Sequence, residues 1–342
     1  MFYGEDLKVD ECFGLIKAKK RSNGVKFEEQ KIDALKFKGK TIVVLCGNNT
    51  KNPERASAYA NYCINWLKGY SQLDKVTIYS IYYPNTQPLS NNFSPNLFFN
   101  YEGLAEILFN QVIYKKNTLQ TADEIANNLS DIIFFGHSIG GYVMNQLMNK
   151  LEDMLMQEKF TKAQINKIYS RIEFIGYSLY AVVKAPINNI YITPIYDSIG
   201  SLKLVLDEMK NKKNISFSCD KFYINKVCKE ASKTTHQFRK AYRMAIDNQD
   251  IAYLTYKNTL IATPNLLYFD GIKEDHNLAG VINYSHKNPY KTRAGETTTK
   301  ALEYILQYSL LTERQNFSVN DLYNNLINET LDKQNEISTR EI

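Results

Sequence analysis

The sequence predicts an α/β protein in which a mostly parallel central sheet is covered by helices on both faces. Two uninterrupted apolar runs, Thr41–Cys46 and Ile132–Phe135, each stop at a glycine, Gly47 and Gly136. Runs that are apolar at every position belong to strands buried on both sides, the situation of a parallel sheet under helices. The segment after the first run places Ala56, Tyr59, Ala60, Cys63, Ile64 and Leu67 three and four residues apart, the spacing of one helix face. Strand, loop and helix repeated in this order is the pattern of a doubly covered sheet.

Residues 1–40 mix short apolar groups with lysines around an Asn23-Gly24 turn signal and read as an edge hairpin or N-terminal decoration. Thr41–Cys46 is the first buried strand, and Pro53 and Glu54 open the helix behind it, proline being tolerated in a first helical turn. Val76–Tyr83 is a second strand, closed by Pro84, and residues 85–100 form a polar loop with Phe93, Leu97, Phe98 and Phe99 that makes a natural cleft wall. Helices are expected over Tyr101–Gln111 and Ala122–Leu129, then the strand Ile132–Phe135 and a helix through Met144, Leu147, Met148 and Leu151. Arg171–Gly176 and Asn189–Tyr196 are further strands. Residues 180–188 between them are too few for a long crossover helix, which leaves open either one irregular excursion or a short loop in the helix's place. Residues 200–250 are lysine-rich and helical by pattern, a cap or lid. Leu266–Phe269 reads as a short last strand and Ala294–Leu311 as the closing helix. The expected organisation is a decoration over 1–40, one main domain over 41–314, and a C-terminal helix with a polar tail over 315–342.

The chain of 342 residues is 44% hydrophobic, enough to build a core without a metal or disulfide staple. Its 42 Lys and Arg against 36 Asp and Glu leave a net charge of +6 with no long basic run. That balance argues weakly for an acidic partner surface and against nucleic acid. The 25 tyrosines suit a ligand cleft, since each offers a ring and a hydroxyl. Cys12, Cys46, Cys63, Cys219 and Cys228 are odd in number and never spaced as C-x-x-C, which fits a reducing compartment rather than a disulfide framework or a thiolate metal site. The N-terminus is acidic where a signal peptide is basic, and no segment approaches the length of a membrane span, so neither is expected.

The strongest chemical signal is Gly136-His137-Ser138-Ile139-Gly140-Gly141, between an apolar strand and a helix. It matches G-x-S-x-G in sequence and in context. A serine on so sharp a turn needs neighbours without side chains two positions before and after, and Gly136 and Gly140 meet that need. The helix behind Ser138 aims unpaired N–H groups at the place where negative charge develops on an attacked carbonyl. No G-x-G-x-x-G or G-x-x-x-x-G-K-[ST] pattern supports the competing reading of a nucleotide-binding turn.

These residues resemble the α/β-hydrolase superfamily of serine esterases, lipases and related acyl hydrolases, over about residues 41–310. The resemblance implies an α/β-hydrolase fold with a helical cap, Ser138 as nucleophile, and the chain order nucleophile, acid, histidine. Ile195-Tyr-Asp-Ser-Ile-Gly200 looks like the W-D-T-V-G element of a bacterial phospholipase-like branch, which implies Asp197 as the acid. Lys273-Glu-Asp-His-Asn-Leu-Ala-Gly280 is similar to that branch's P-G-x-H-S-x-V-G-G, lacking the Pro-Gly and carrying one glycine after the histidine. It implies His276 as general base, with His286 the runner-up. His137 reads as a satisfied neighbour of the turn, and His236 lies in a helical-looking stretch. Asp197 also reads as a helix cap. The oxyanion hole is expected from the backbone N–H groups of Ile139 and of Asn48, in the loop Gly47-Asn48-Asn49-Thr50, a stretch that equally suits an ordinary turn.

The resemblance thus implies cleavage of a carboxylic ester, a small molecule or a lipid such as a phospholipid, through an acyl-enzyme, with peripheral membrane contact and with no metal or organic cofactor. A thioesterase or peptidase, or a hydrolase-like scaffold that binds without turnover, is the alternative. Richness in Asn, Lys, Ile and Tyr without a signal peptide is also similar to lipase-like effectors that intracellular bacteria deliver by type IV secretion. That likeness implies residence in the bacterial cytoplasm before export to a host cytosol, with the tail Glu329–Ile342 as a candidate delivery signal.

Overall fold

The computed structural model describes residues 8–48, 50–85, 99–112, 114–115, 118–177, 179, 183–193, 251–256, 259–264, 302–303, 306–307 and 309–310. The chain divides into two units, Met1–Asn189 and Ile190–Ile342.

The first unit begins with a single helical turn, α1 (Val9–Cys12), and the antiparallel hairpin of β1 (Gly14–Arg21) and β2 (Gly24–Gln30). Ser22 and Asn23 make its two-residue turn, and Gly24 takes φ 133°, a conformation that glycine adopts without steric cost. β3 (Thr41–Leu45) is buried at all five positions, as its uninterrupted apolar run requires. Helix α2 (Pro53–Trp66) follows. The side chain of Asn52 accepts a hydrogen bond from Arg55 N–H to cap it, and proline occupies the first turn.

β4 (Thr77–Tyr82) pairs parallel with β3 on one side and antiparallel with β1 on the other, so the N-terminal hairpin extends the sheet's edge. α3 (Tyr101–Val112), the two-residue strands β5 (Tyr114–Lys115) and β6 (Thr118–Leu119), and α4 (Ala122–Leu129) come next. Thr121 and Glu124 cap α4 reciprocally. β7 (Ile132–His137) returns to the sheet on the free side of β3, parallel to it. α5 (Gly140–Gln157), α6 (Lys162–Tyr169) and β8 (Glu173–Tyr177) follow, β8 parallel to β7.

The order in this unit is therefore β8-β7-β3-β4-β1-β2, with a parallel core of four strands and helices packed on it. Trp66 of α2 meets Phe135 of β7 with ring centroids 5.3 Å apart. The Tyr169 hydroxyl of α6 donates to the Met148 carbonyl of α5 at 2.6 Å. β3 has its sequence successor β4 on one side and β7 on the other, which makes the ends of β3 and β7 a switch point. In open α/β sheets ligands bind beyond the carboxyl ends of the strands at such a point.

β9 (Asn188–Thr193) crosses the boundary between the units. In the second unit it pairs antiparallel with β10 (Ile251–Tyr256), which pairs antiparallel with β11 (Thr259–Pro264). The hairpin over 251–264 was not among the expected strands. Its signal is two β-branched and aromatic runs separated by Lys257-Asn258. Within the expected closing helix the described residues are helical, and Leu302, Leu306 and Leu310 are buried. The expected strand over 266–269, the cap over 200–250 and the tail over 315–342 lie outside the described residues. Among those described, no helix is long and apolar enough to cross a membrane.

Candidate active site

The turn between β7 and α5 is shaped by steric exclusion on both sides of Ser138. A Cβ added to Gly136 would lie 2.5 Å from Cζ of Phe174 on β8. One added to Gly140 would lie 2.5 Å from the carbonyl oxygen of Leu45 on β3. Ser138 itself takes φ 53°, a left-handed conformation that costs an L-residue with a side chain about 1–2 kcal/mol. Strain of this kind persists where the surroundings over-determine it. Here they do, because the Ser138 N–H donates to the Tyr177 carbonyl at 3.3 Å and the next residue already starts a helix packed against β3.

Helices α2, α4 and α6 are each capped by a side chain, whereas α5 has none: its N-cap is Ile139. The Ile139 N–H donates to no acceptor among the described residues, and neither does that of Asn48. Register places both at one end of the sheet, since Leu45 pairs with Gly136, Asn48 follows three residues after Leu45, and Ile139 three after Gly136. The Asn48 side-chain oxygen, Oδ1, is buried and has no hydrogen-bond partner among the described residues. Ser138 is only 4% exposed.

A polar cluster unforeseen in the sequence locks this end of the sheet. The Tyr59 hydroxyl of α2 lies 2.6 Å from Nδ1 of His137 and accepts from the Gly47 N–H at 3.2 Å. Burial pushes the Tyr59 phenol well above its usual range, so the hydroxyl keeps its proton. The His137 ring stacks on Tyr177 with centroids 5.8 Å apart, and a Cβ on Gly47 would lie 2.5 Å from Nδ1. His137 thus serves as a filled position beneath the loop that carries Asn48. The sequence hint was Tyr59 on the buried face of its helix, a polar tip that needs a partner.

The structure therefore brings Ser138, Ile139 and Asn48 to the ends of two adjacent strands. Asp197, His276 and His286 lie outside the described residues. Among the described residues, no three His, Cys, Asp or Glu side chains are grouped to hold a metal.

Fold and turn together define the class: an α/β protein with a mostly parallel sheet and a strained serine between a central strand and its helix. A scan against protein-family models finds no match, and a search of the curated proteins finds no relative.

Proposed function

We propose that this protein is a serine hydrolase of the α/β-hydrolase type that cleaves a carboxylic ester through an acyl-enzyme. The observation that carries the reading is the positive φ of Ser138 between two glycines that have no room for a side chain. This combination is the steric requirement of a nucleophile turn.

In the proposed reaction the Ser138 hydroxyl attacks the ester carbonyl while His276, steadied by Asp197, takes its proton. The N–H groups of Asn48 and Ile139 hold the oxyanion, and the histidine returns the proton to the departing alcohol. Water then attacks the acyl-enzyme by the same base, releasing the acid and Ser138. His286 replaces His276 in the runner-up arrangement.

The low exposure of Ser138 favours a second reading, a hydrolase-like scaffold that binds without turnover. A fluorophosphonate probe separates the two, applied to the full chain beside turnover of a short p-nitrophenyl ester. Labelling that disappears in Ser138→Ala, with turnover lost in parallel, supports the hydrolase; folded protein that neither labels nor turns over supports the scaffold. Asp197→Asn and His276→Gln should each lower turnover by at least about a hundredfold. Release from phospholipid vesicles against release from the soluble ester tests the lipid as substrate.

A further inference from the structure

Among the described residues, basic side chains cluster on one face of the N-terminal hairpin. Alternation along β1 puts Lys17, Lys19 and Arg21 on the same side. Cross-strand register then sets Lys26 directly opposite Lys19, and Thr77 of β4 beside Lys19 on the other flank. Like charges opposite each other destabilise a sheet, so nothing in the fold itself calls for this pair.

Lys36 and Lys38, from the segment after β2, and Lys75, just before β4, close the space into a cleft of about 330 Å³. Its lining holds seven basic side chains and one carboxylate, Glu28, an excess of six positive charges. Glu28 is already engaged with Lys26, which holds its carboxyl below the usual range, with Lys17 and Arg21 adding to the pull. The other six cations make no ion pair with any described carboxylate.

We propose that this cleft binds a compact polyphosphorylated polyol, free or as the headgroup of a lipid. Each phosphomonoester carries about −1.5 to −2 at neutral pH, so about three of them match an excess of six. A small tricarboxylate brings half that charge into the same volume. The volume lies at the lower end of the usual range for small-ligand sites. Neighbouring cations along β1 stand about 7 Å apart and Lys26 lies about 5 Å across from Lys19, so the charges cover an area rather than a single line. An extended single strand of nucleic acid needs a track and exposed rings for its bases. Here the one aromatic lining residue, Tyr79, is 2% exposed.

Inositol trisphosphate titrated calorimetrically into the full chain at about 0.15 M ionic strength should bind saturably at one site. Lys36→Glu with Lys38→Glu, outside the strands, should weaken it at least about tenfold, and Lys19→Gln should do so independently. Circular dichroism of both variants should match the parent. Phosphatidylcholine vesicles with phosphatidylinositol bisphosphate distinguish the sources: flotation competed by free trisphosphate marks the headgroup, and binding of the free form alone marks the soluble ligand. Either outcome supports the site. Absence of saturable binding in both arms overturns it, as does unchanged affinity in both variants. So does a single-stranded RNA oligonucleotide that displaces the trisphosphate at lower concentration than the trisphosphate itself requires.

Discussion

The carbonyl oxygen of Leu45 occupies the position a side chain on Gly140 would need, 2.5 Å from the site of its Cβ. The first turn of α5 is pressed onto the end of β3, which brings the residue after Ser138 close to the loop that carries Asn48. Adjacent parallel strands and a glycine at one point produce the whole arrangement.

Gly140→Ala should therefore destabilise the protein by about 3 kcal/mol, the upper end for overpacking, because backbone cannot move aside as a rotamer can. Gly136→Ala meets a side chain, the Phe174 ring, so Phe174→Leu should recover part of its cost. Urea unfolding midpoints check both. The double variant should be more stable than the two single effects summed, and no truncation of the Leu45 side chain should rescue Gly140→Ala.

Tyr59→Phe removes the hydroxyl that serves both Gly47 N–H and His137 Nδ1. Leaving buried groups unpaired costs about 1–3 kcal/mol each, so a loss of about 2–6 kcal/mol in unfolding free energy is expected. Because the same bonds hold the loop before Asn48, ester turnover should fall more than labelling by fluorophosphonate, which depends on the serine itself. Equal losses in the two assays would disconnect this cluster from the oxyanion site.

Stability should decline on the alkaline side. Burial pushes the Cys46 and Cys63 thiols well above their ordinary value of 9.0, so the folded form holds these protons after the unfolded chain has released them. The stabilisation is complete below pH 9.0 and is lost progressively as pH rises toward the folded values, each thiol contributing about 1.4 kcal/mol per pH unit. The buried phenols of Tyr59 and Tyr83 add to the slope above 10.0. Urea unfolding at about pH 8 and about pH 10.5 measures the decline, and Cys63→Ala should make it shallower by about 2 kcal/mol over that interval.

Where a pattern is local, the chain alone announces its structure. The apolar runs at 41–46 and 132–135 became strands buried throughout, and the helices behind them begin at Pro53 and Gly140 as capping and glycine chemistry require. The turn at Ser138 was legible because its steric demand is written in two residues flanking it. The runs paired in the hairpin over 251–264 have no glycine between them in the sequence, so the usual hairpin signal is missing there.

By itself the sequence decided the α/β layering and the strained serine, since hydrophobic periodicity and glycine placement act over a few residues. Only the tertiary structure decided two other things. Tyr59, 78 residues before His137 in the chain, found it across a strand and a helix. Charges that look dispersed along the chain converge because strand alternation and cross-strand register place Lys17, Lys19 and Lys26 on one face, where Lys36, Lys38 and Lys75 meet them. A net charge of +6 is a sum over the chain, whereas the field it creates depends on distances that pairing alone sets.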